Sequence, residues 1–266
     1  MREVCFTGIY EPQETLLAQR LLRKGMAVVD VGANWGYFTL LAAHLVGDRG
    51  RVLSLEPDPR MFRLLQQNIQ RNGLPHVKIV PAAATDRNAT TTLVGYSEHD
   101  GNFGLSRLSQ SASDRGACYQ VSGLTLDDVL DAGGIKCVDL MKMDVEGGEA
   151  AALAGLTRTL GSGRVRWLLL ELHPAQLAEN GRTTEEAVDT LRRHGYRGWR
   201  IDHGLSATRQ AAYNRTGPTL HPLAGSGPLG PWPHLLWERV QRPAHENRTH
   251  WLERQDIGIA TTAALA

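Results

Sequence analysis

The feature that most constrains the fold is the run Val28-Val29-Asp30-Val31-Gly32-Ala33-Asn34-Trp35-Gly36-Tyr37-Phe38. An apolar stretch ends in an acid and a glycine turn, and a helical pattern begins at once. That order lets a parallel strand pass through a turn made of backbone alone and enter a helix, leaving room for a nucleotide-like ligand. The glycines are spaced G-x-x-x-G (Gly32, Gly36), unlike the G-x-G-x-x-G that cradles a pyrophosphate. Acidic residues follow downstream and no phosphate-binding lysine does. The pattern suits an adenosine with a cationic, zwitterionic tail, and S-adenosylmethionine is the candidate cofactor. A plain strand-to-helix turn is the alternative.

Around this turn, strands and helices alternate. Leu16, Leu17, Leu21 and Leu22 after Pro12 predict a helix over 13–24, stopped by Gly25. Strands are expected at 28–31, 51–55 and 77–81, with helices at 37–46 and 59–72 between them. This spacing gives a parallel, doubly wound sheet. The alternation breaks after residue 90, where a short strand at 90–94 precedes a Gly/Ser/Asp-rich stretch over 95–116. A strand at 119–121 and a helix at 125–130 are expected next. Strands at 137–143 and 166–172 follow, with helices at 149–160 and 183–194. Residues 197–201 and 235–240 are expected to close the sheet as an antiparallel pair, joined by a long Gly/Pro-rich loop at about 203–233.

The chain has 266 residues and a formal net charge of +1, with 25 Arg against 4 Lys. That length suits one large α/β domain or two small ones. We expect a single domain over 1–242, with a helical lead-in at 1–25, a substrate-side insertion at about 95–118 and a peripheral tail at 243–266. The near-zero charge gives no nucleic-acid footprint. No apolar run reaches membrane-spanning length, no signal peptide opens the chain, and Cys5, Cys118 and Cys137 are few and far apart. A cytoplasmic protein without nucleic-acid or membrane partners is the expectation; its oligomeric state is left open.

Five groups of residues carry candidate chemistry. In the turn, Gly32 and Gly36 allow close backbone approach, Asn34 lies between them, and Asp30 stands where it can meet a ligand ammonium. Glu56 lies 24 residues after Gly32, at the end of the second strand, where a carboxylate accepts both ribose hydroxyls. Ala82-Ala83-Ala84-Thr85-Asp86 offers a small-residue shelf for a flat ring, with Asp86 able to accept from an adenine amino group. Met141-Lys142-Met143-Asp144-Val145-Glu146-Gly147-Gly148-Glu149 crowds carboxylates at the end of the fourth strand, so cationic company is expected. Lys142, the following helix N-terminus, a sulfonium or a metal can each supply it. Glu171 and His173, two apart at the end of the next strand, point to one face.

These motifs resemble the FkbM-family methyltransferases, a branch of the class I S-adenosylmethionine-dependent enzymes. The resemblance rests on Tyr10-Glu11-Pro12, the run from Val29 to Thr39, Glu56-Pro57, Asn102-Phe103-Gly104, the run from Lys142 to Glu149, and Glu171-Leu172-His173-Pro174. It spans about residues 9–200, and K-x-D-V-E-G-x-E is its most specific part. Trp35 is bulkier than the common residue there, and Met143 replaces an aliphatic. The resemblance implies a mostly parallel, seven-stranded Rossmann-like sheet with a terminal antiparallel hairpin. It also implies cofactor contacts at the glycine motif and Glu56, and O-methylation of a small-molecule hydroxyl on a sugar or natural-product scaffold.

The expected reaction is an in-line displacement at the sulfonium methyl, aided by a general base. His173 is the first candidate base, oriented by Glu146 or Glu171, with Asp144 facing cofactor or substrate. Lys142 is an ion-pair partner or a direct participant, and residues 102–106 are a candidate lid. Three alternatives are weighed: a divalent ion on Asp144, Glu171 and His173 binding a substrate diol, a nicotinamide-dependent oxidoreductase, and a non-catalytic nucleotide-binding module.

Overall fold

The computed structural model describes residues 8–95, 106–108, 118–223 and 229–240. The expectations placed on Asn102-Phe103-Gly104, most of the 95–118 insertion and the tail 243–266 lie outside the described residues. Helix α1 (Pro12–Leu21) leads into β1 (Ala27–Val31), α2 (Tyr37–Val46), β2 (Arg51–Leu55), α3 (Pro59–Arg71) and β3 (Val77–Val80). Next come β4 (Ala82–Ala84), β5 (Ala89–Val94), β6 (Arg107–Leu108) and β7 (Cys118–Leu124). The alternation then resumes with α4 (Leu126–Gly133), β8 (Val138–Met143), α5 (Glu149–Ala154), α6 (Thr157–Gly161), β9 (Val165–Glu171), α7 (Pro174–Glu179) and α8 (Thr184–Arg193). The described chain closes with β10 (Tyr196–Ile201), α9 (Leu205–Asn214), β11 (Leu220–Pro222) and β12 (His234–Arg239).

The main sheet runs β11-β10-β12-β9-β8-β1-β2-β3. From β3 to β9 all neighbours are parallel, while β12, β10 and β11 pair antiparallel. The seven expected strands are present, and β11 adds a short eighth at the edge. The chain reverses its direction of travel across the sheet at β1, which sits between β2 and β8. Crevices open at such a switch point, beyond the carboxyl ends of the strands.

Both faces of the sheet are covered, so its central strands read as unbroken apolar runs rather than alternating ones. Val29, Val31, Leu53, Leu55, Met141 and Met143 pack with the helices α4 to α8. Their odd-even partners Val28, Val52 and Leu140 pack with Leu17 and Ala18 of α1 and with Ala42 and Val46 of α2. Side-chain caps set the helix starts. Asp58 accepts from the Arg60 backbone N–H at 2.8 Å, and Thr125 and Thr183 each accept from an N–H three residues on at 3.2 Å.

Three local expectations change. The helix expected over 149–160 is two helices, the first capped at its C-terminus by Gly155, where a Cβ would lie 2.0 Å from the Thr85 carbonyl oxygen. Asp127 then caps the new helix, accepting from the Arg158 and Thr159 N–H groups, each at 2.9 Å. The alanine shelf is a strand, β4, pairing with β7 in a small second sheet ordered β4-β7-β5-β6. The long loop at 203–233 holds helix α9 and strand β11, with Ala211 and Ala212 of α9 buried beside Ile9 and Leu16. No helix among the described residues is long and apolar enough to cross a membrane.

Candidate active site

A pocket opens at the switch point, with Gly32, Asn34, Glu56, Ala82, Ala83, Ala84, Asp144 and Glu146 in its wall. Gly32 is required there by contact. It has φ 84°, and a Cβ would meet the Asp144 carbonyl oxygen at 1.8 Å, so the ends of β1 and β8 close up only on glycine. Asn34 adopts φ 52°, a left-handed turn that asparagine tolerates, and its backbone N–H donates to Glu56 Oε2 at 2.7 Å. Glu56 Oε1 accepts from the Asp58 N–H at 2.8 Å. Each carboxylate oxygen thus keeps a lone pair for a ligand hydroxyl. Glu56, only 5 % exposed, is fixed in place before any ligand arrives.

Three expected cofactor residues are placed elsewhere. Asp30 is buried and accepts from Thr39 Oγ1 at 2.6 Å, which turns it toward α2 and away from the pocket wall. Gly36 has φ 101°, and a Cβ there would strike Leu65 Cδ1 at 2.6 Å, so it serves the packing of α2 on α3. Asp86 lies in a neighbouring cavity, paired with Arg182 at 3.4 Å. Ser106, the described end of the expected lid, lines the pocket and donates to Asp58 Oδ2 at 2.6 Å.

On the other side, β8 and β9 bring the charged residues together. Lys142 Nζ lies 3.1 Å from Asp144 Oδ2 and 3.6 Å from Glu11 Oε2, and 4.6 Å above the Phe38 ring. His173 is 3 % exposed and sits among four carboxylates. Its Nδ1 meets Glu149 Oε1 at 2.7 Å, while Nε2 faces Glu146 at 3.3 Å, Glu171 at 3.6 Å and Asp144 at 3.9 Å. Glu149 makes the shortest of these contacts, and the expected partners Glu146 and Glu171 lie on the Nε2 side. Glu149 is fully buried at the start of α5, where a carboxylate also complements the helix N-terminus. Asp144, Glu171 and His173 each offer a ligand atom within 4.8 Å of the others, as the metal alternative requires.

A family model described as the Methyltransferase FkbM domain matches residues 30–197, more than half of the chain. The chain belongs to this family. It is 30% identical over 203 residues to the 31-O-demethyl-FK506 methyltransferase FkbM of Streptomyces tacrolimicus, covering 66% of this chain and 74% of that protein. It is 27% identical over 201 residues to the 2-O-methyltransferase NoeI of Sinorhizobium fredii, covering 69% and 80%. It also matches the AMB antimetabolite synthetase AmbE of Pseudomonas aeruginosa at 27% over 201 residues, which is 64% of this chain but only 9% of that protein.

In this FkbM methyltransferase the two sides of the pocket carry different charge states. Burial raises Glu56 to about 7 against the pull of its two backbone donors. Burial likewise raises Glu146 to about 7, opposed by His173. Glu171 is raised to about 9 by burial and by the charges of Asp144 and Glu11, so it holds its proton at neutral pH. Burial disfavours a charged His173, but the Glu149 hydrogen bond and the surrounding carboxylates outweigh it and raise the imidazole to about 9. Burial acts against Lys142 in the same way, and Asp144 and Glu11 keep it charged. Lys142 and His173 in turn hold Asp144 below the usual carboxylate range despite its burial.

A histidine charged at neutral pH is a poor proton acceptor, and His173 does not line the pocket. Of the groups that do, Glu56 and Glu146 are both raised to about 7, and Glu146 is the one on the Asp144 side. Its backbone is left-handed at φ 49°, followed by Gly147 at φ 93°, an uncommon conformation that turns the carboxylate toward His173. Residues missed in the sequence stand behind this cluster. Glu14 accepts from His203 Nε2 at 2.7 Å and lies 2.9 Å from His234 Nδ1. Tyr10 reaches the pocket wall, and Glu11 faces Lys142. For the latter pair the signal was present in Tyr10-Glu11-Pro12, since Pro12 opens α1 and puts Glu11 at its N-cap.

Proposed function

We propose that this methyltransferase uses S-adenosylmethionine to methylate a hydroxyl oxygen of a small molecule, as a single domain over residues 1–242. The observation that carries the reading is the one pocket wall that joins Gly32 and Glu56 to Asp144 and Glu146. The residues fit the cofactor. Glu56 keeps two free lone pairs for a ribose diol, β4 supplies a small-residue shelf, and Asp144 is an ionised carboxylate suited to a cationic group. When bound, the cofactor supplies an electrophilic methyl on a positively charged sulfur. The names of the FkbM and NoeI relatives support oxygen as the acceptor atom.

The chain's own residues then align the acceptor hydroxyl, exclude water and take its proton. Glu146 is the proposed proton acceptor. His173 is a positioning residue, clamped by Glu149 at Nδ1 and holding Glu146 through Nε2. Lys142 neutralises Asp144 and does not itself receive the proton. A methyl-transfer assay over glycosides and polyketide alcohols, read by the net mass gain of one CH2 as a methyl replaces a hydrogen, tests the reading. Cofactor binding with no acceptor turned over would favour a non-catalytic module instead. Turnover by the unmodified protein that survives a chelator would remove the metal-assisted diol alternative.

A further inference from the structure

We propose that Glu14, His203 and His234 form a binding site for one divalent transition-metal ion of the zinc type, clipping α1 to the far end of the sheet. The three residues come from α1, from the link between β10 and α9, and from the first position of β12. Each offers one ligand atom, and the three atoms lie within 4.8 Å of one another. His203 Nε2 and His234 Nδ1 both point at the same oxygen, Glu14 Oε1, at 2.7 and 2.9 Å. An ion bonded at about 2.0–2.1 Å sets tetrahedral donors roughly 3.3 Å apart, so the nitrogens draw back from Oε1 by about half an ångström and the two rings, stacked with centroids 3.7 Å apart, splay to admit it.

Two further observations point to a ligand. Glu14 is 3 % exposed, and its second oxygen, Oε2, is buried with no hydrogen-bond partner among the described residues. A buried carboxylate oxygen left so is costly, and an ion beside it relieves that cost. The other ring nitrogen of His234, Nε2, faces Glu171 Oε1 at 3.5 Å. Metal-bound imidazoles commonly present their remaining N–H to a carboxylate in this way. Two imidazoles with one carboxylate favour zinc, cobalt or nickel over magnesium or calcium, which prefer oxygen.

The site lies outside the residues assigned to methyl transfer and borders the charged cluster, with Glu14 and His234 lining one small cavity together with Lys142 and Glu171. Gln13 already ties α1 to the same link, donating to the Asp202 carbonyl at 3.1 Å and to Thr208 Oγ1 at 2.9 Å. An ion on Glu14 would lock that attachment and fix the wall behind Glu171.

The test uses the full chain stripped with chelator, then loaded with zinc and gel-filtered, with metal counted by elemental analysis. One equivalent is expected in the unmodified protein and in Asp144→Asn, and at least a tenfold lower content in His203→Ala and Glu14→Gln. His203 is the safer substitution, since 29% of its side chain is exposed. Zinc should also raise the melting temperature of the unmodified protein and leave that of His203→Ala in place. Cobalt-loaded protein should show weak visible bands without thiolate charge transfer. No retained metal, equal retention in His203→Ala, or a thiolate band would each overturn the proposal. Loss in Asp144→Asn with retention in His203→Ala would move the ion to Asp144, Glu171 and His173, and overturn it as well.

Discussion

The two halves of the pocket are built in opposite ways. On the Gly32 and Glu56 side, position is set by backbone: a glycine against a carbonyl, and two N–H groups holding one carboxylate. On the Asp144 and Glu146 side, position is set by buried charge: one lysine and one imidazolium shared among carboxylates from α1, β8, α5 and β9. The first arrangement is rigid and indifferent to pH apart from Glu56 itself. The second depends on where its protons sit. A binding half made of geometry and a reacting half made of titratable groups is the division that cofactor capture followed by proton transfer requires.

The most severe way to break this division is Gly32→Ala. The added carbon cannot coexist with the Asp144 carbonyl, so both halves should move. Cofactor binding is expected to vanish by calorimetry, and stability to fall by about 3–5 kcal/mol in denaturant titration. A folded, cofactor-binding Gly32→Ala protein would show that the β1–β8 contact is not essential.

Glu146→Gln should separate the halves. Turnover is expected to drop by about 10²–10⁴-fold while the cofactor dissociation constant changes less than threefold. Glu56→Ala should do the converse, weakening cofactor about 10²-fold through loss of two hydrogen bonds from the ligand, with kcat at saturating cofactor changed far less. If both substitutions lowered kcat and affinity together, the division would be wrong.

The pH profile sharpens the assignment of the base. Glu146 must be ionised to accept a proton, so kcat should rise with pH and level off above about 7. A limb that continued to about 9 would take the role from Glu146 and leave it with His173 or Glu171. His173→Gln is expected to lower kcat and to shift the limb by releasing Glu146 from its partner; an unmoved limb would mean His173 only fills space.

The smallest expected effect is on stability. Glu171 has a folded-state value of about 9, above its ordinary 4.5. Its contribution is therefore fully present below 4.5 and is lost as pH rises toward 9. His173, raised from 6.5 to about 9, loses its contribution over the upper part of the same window. The melting temperature should fall between pH 7 and 9, and Glu171→Gln should flatten that fall, as read by a thermal scan at each pH.

The two halves also differed in how far the sequence revealed them. The parallel strands and their order of appearance follow from apolar runs separated by helical periodicity, which are local signals. Glu56, Asp144, Glu146, Glu171 and His173 stood out because strand ends in an open sheet converge in one crevice, whatever the details. The roles within the charged cluster were not legible. Glu149 rather than Glu146 or Glu171 grips His173 because α5 starts where its first carboxylate points inward, a matter of tertiary placement. Asp30 and Asp86 had the right residue type near a strand end but pair with Thr39 of α2 and with Arg182, and Gly36 packs against Leu65 of α3. The glycine at the break, Gly155, packs against the Thr85 carbonyl, about seventy positions away in the chain. The convergence of Glu14, His203 and His234 spans most of the described length and leaves no local mark.

The outermost strand, β11, has a wider consequence. It is three residues long and ends in Pro222, which has no N–H to offer a neighbour. The opposite border, β3, is four residues long and carries Lys78. Short borders, a proline and a lysine are the means by which sheets resist recruiting foreign strands. Fibrillar stacking and strand exchange between copies are thereby disfavoured at both flanks of the main sheet.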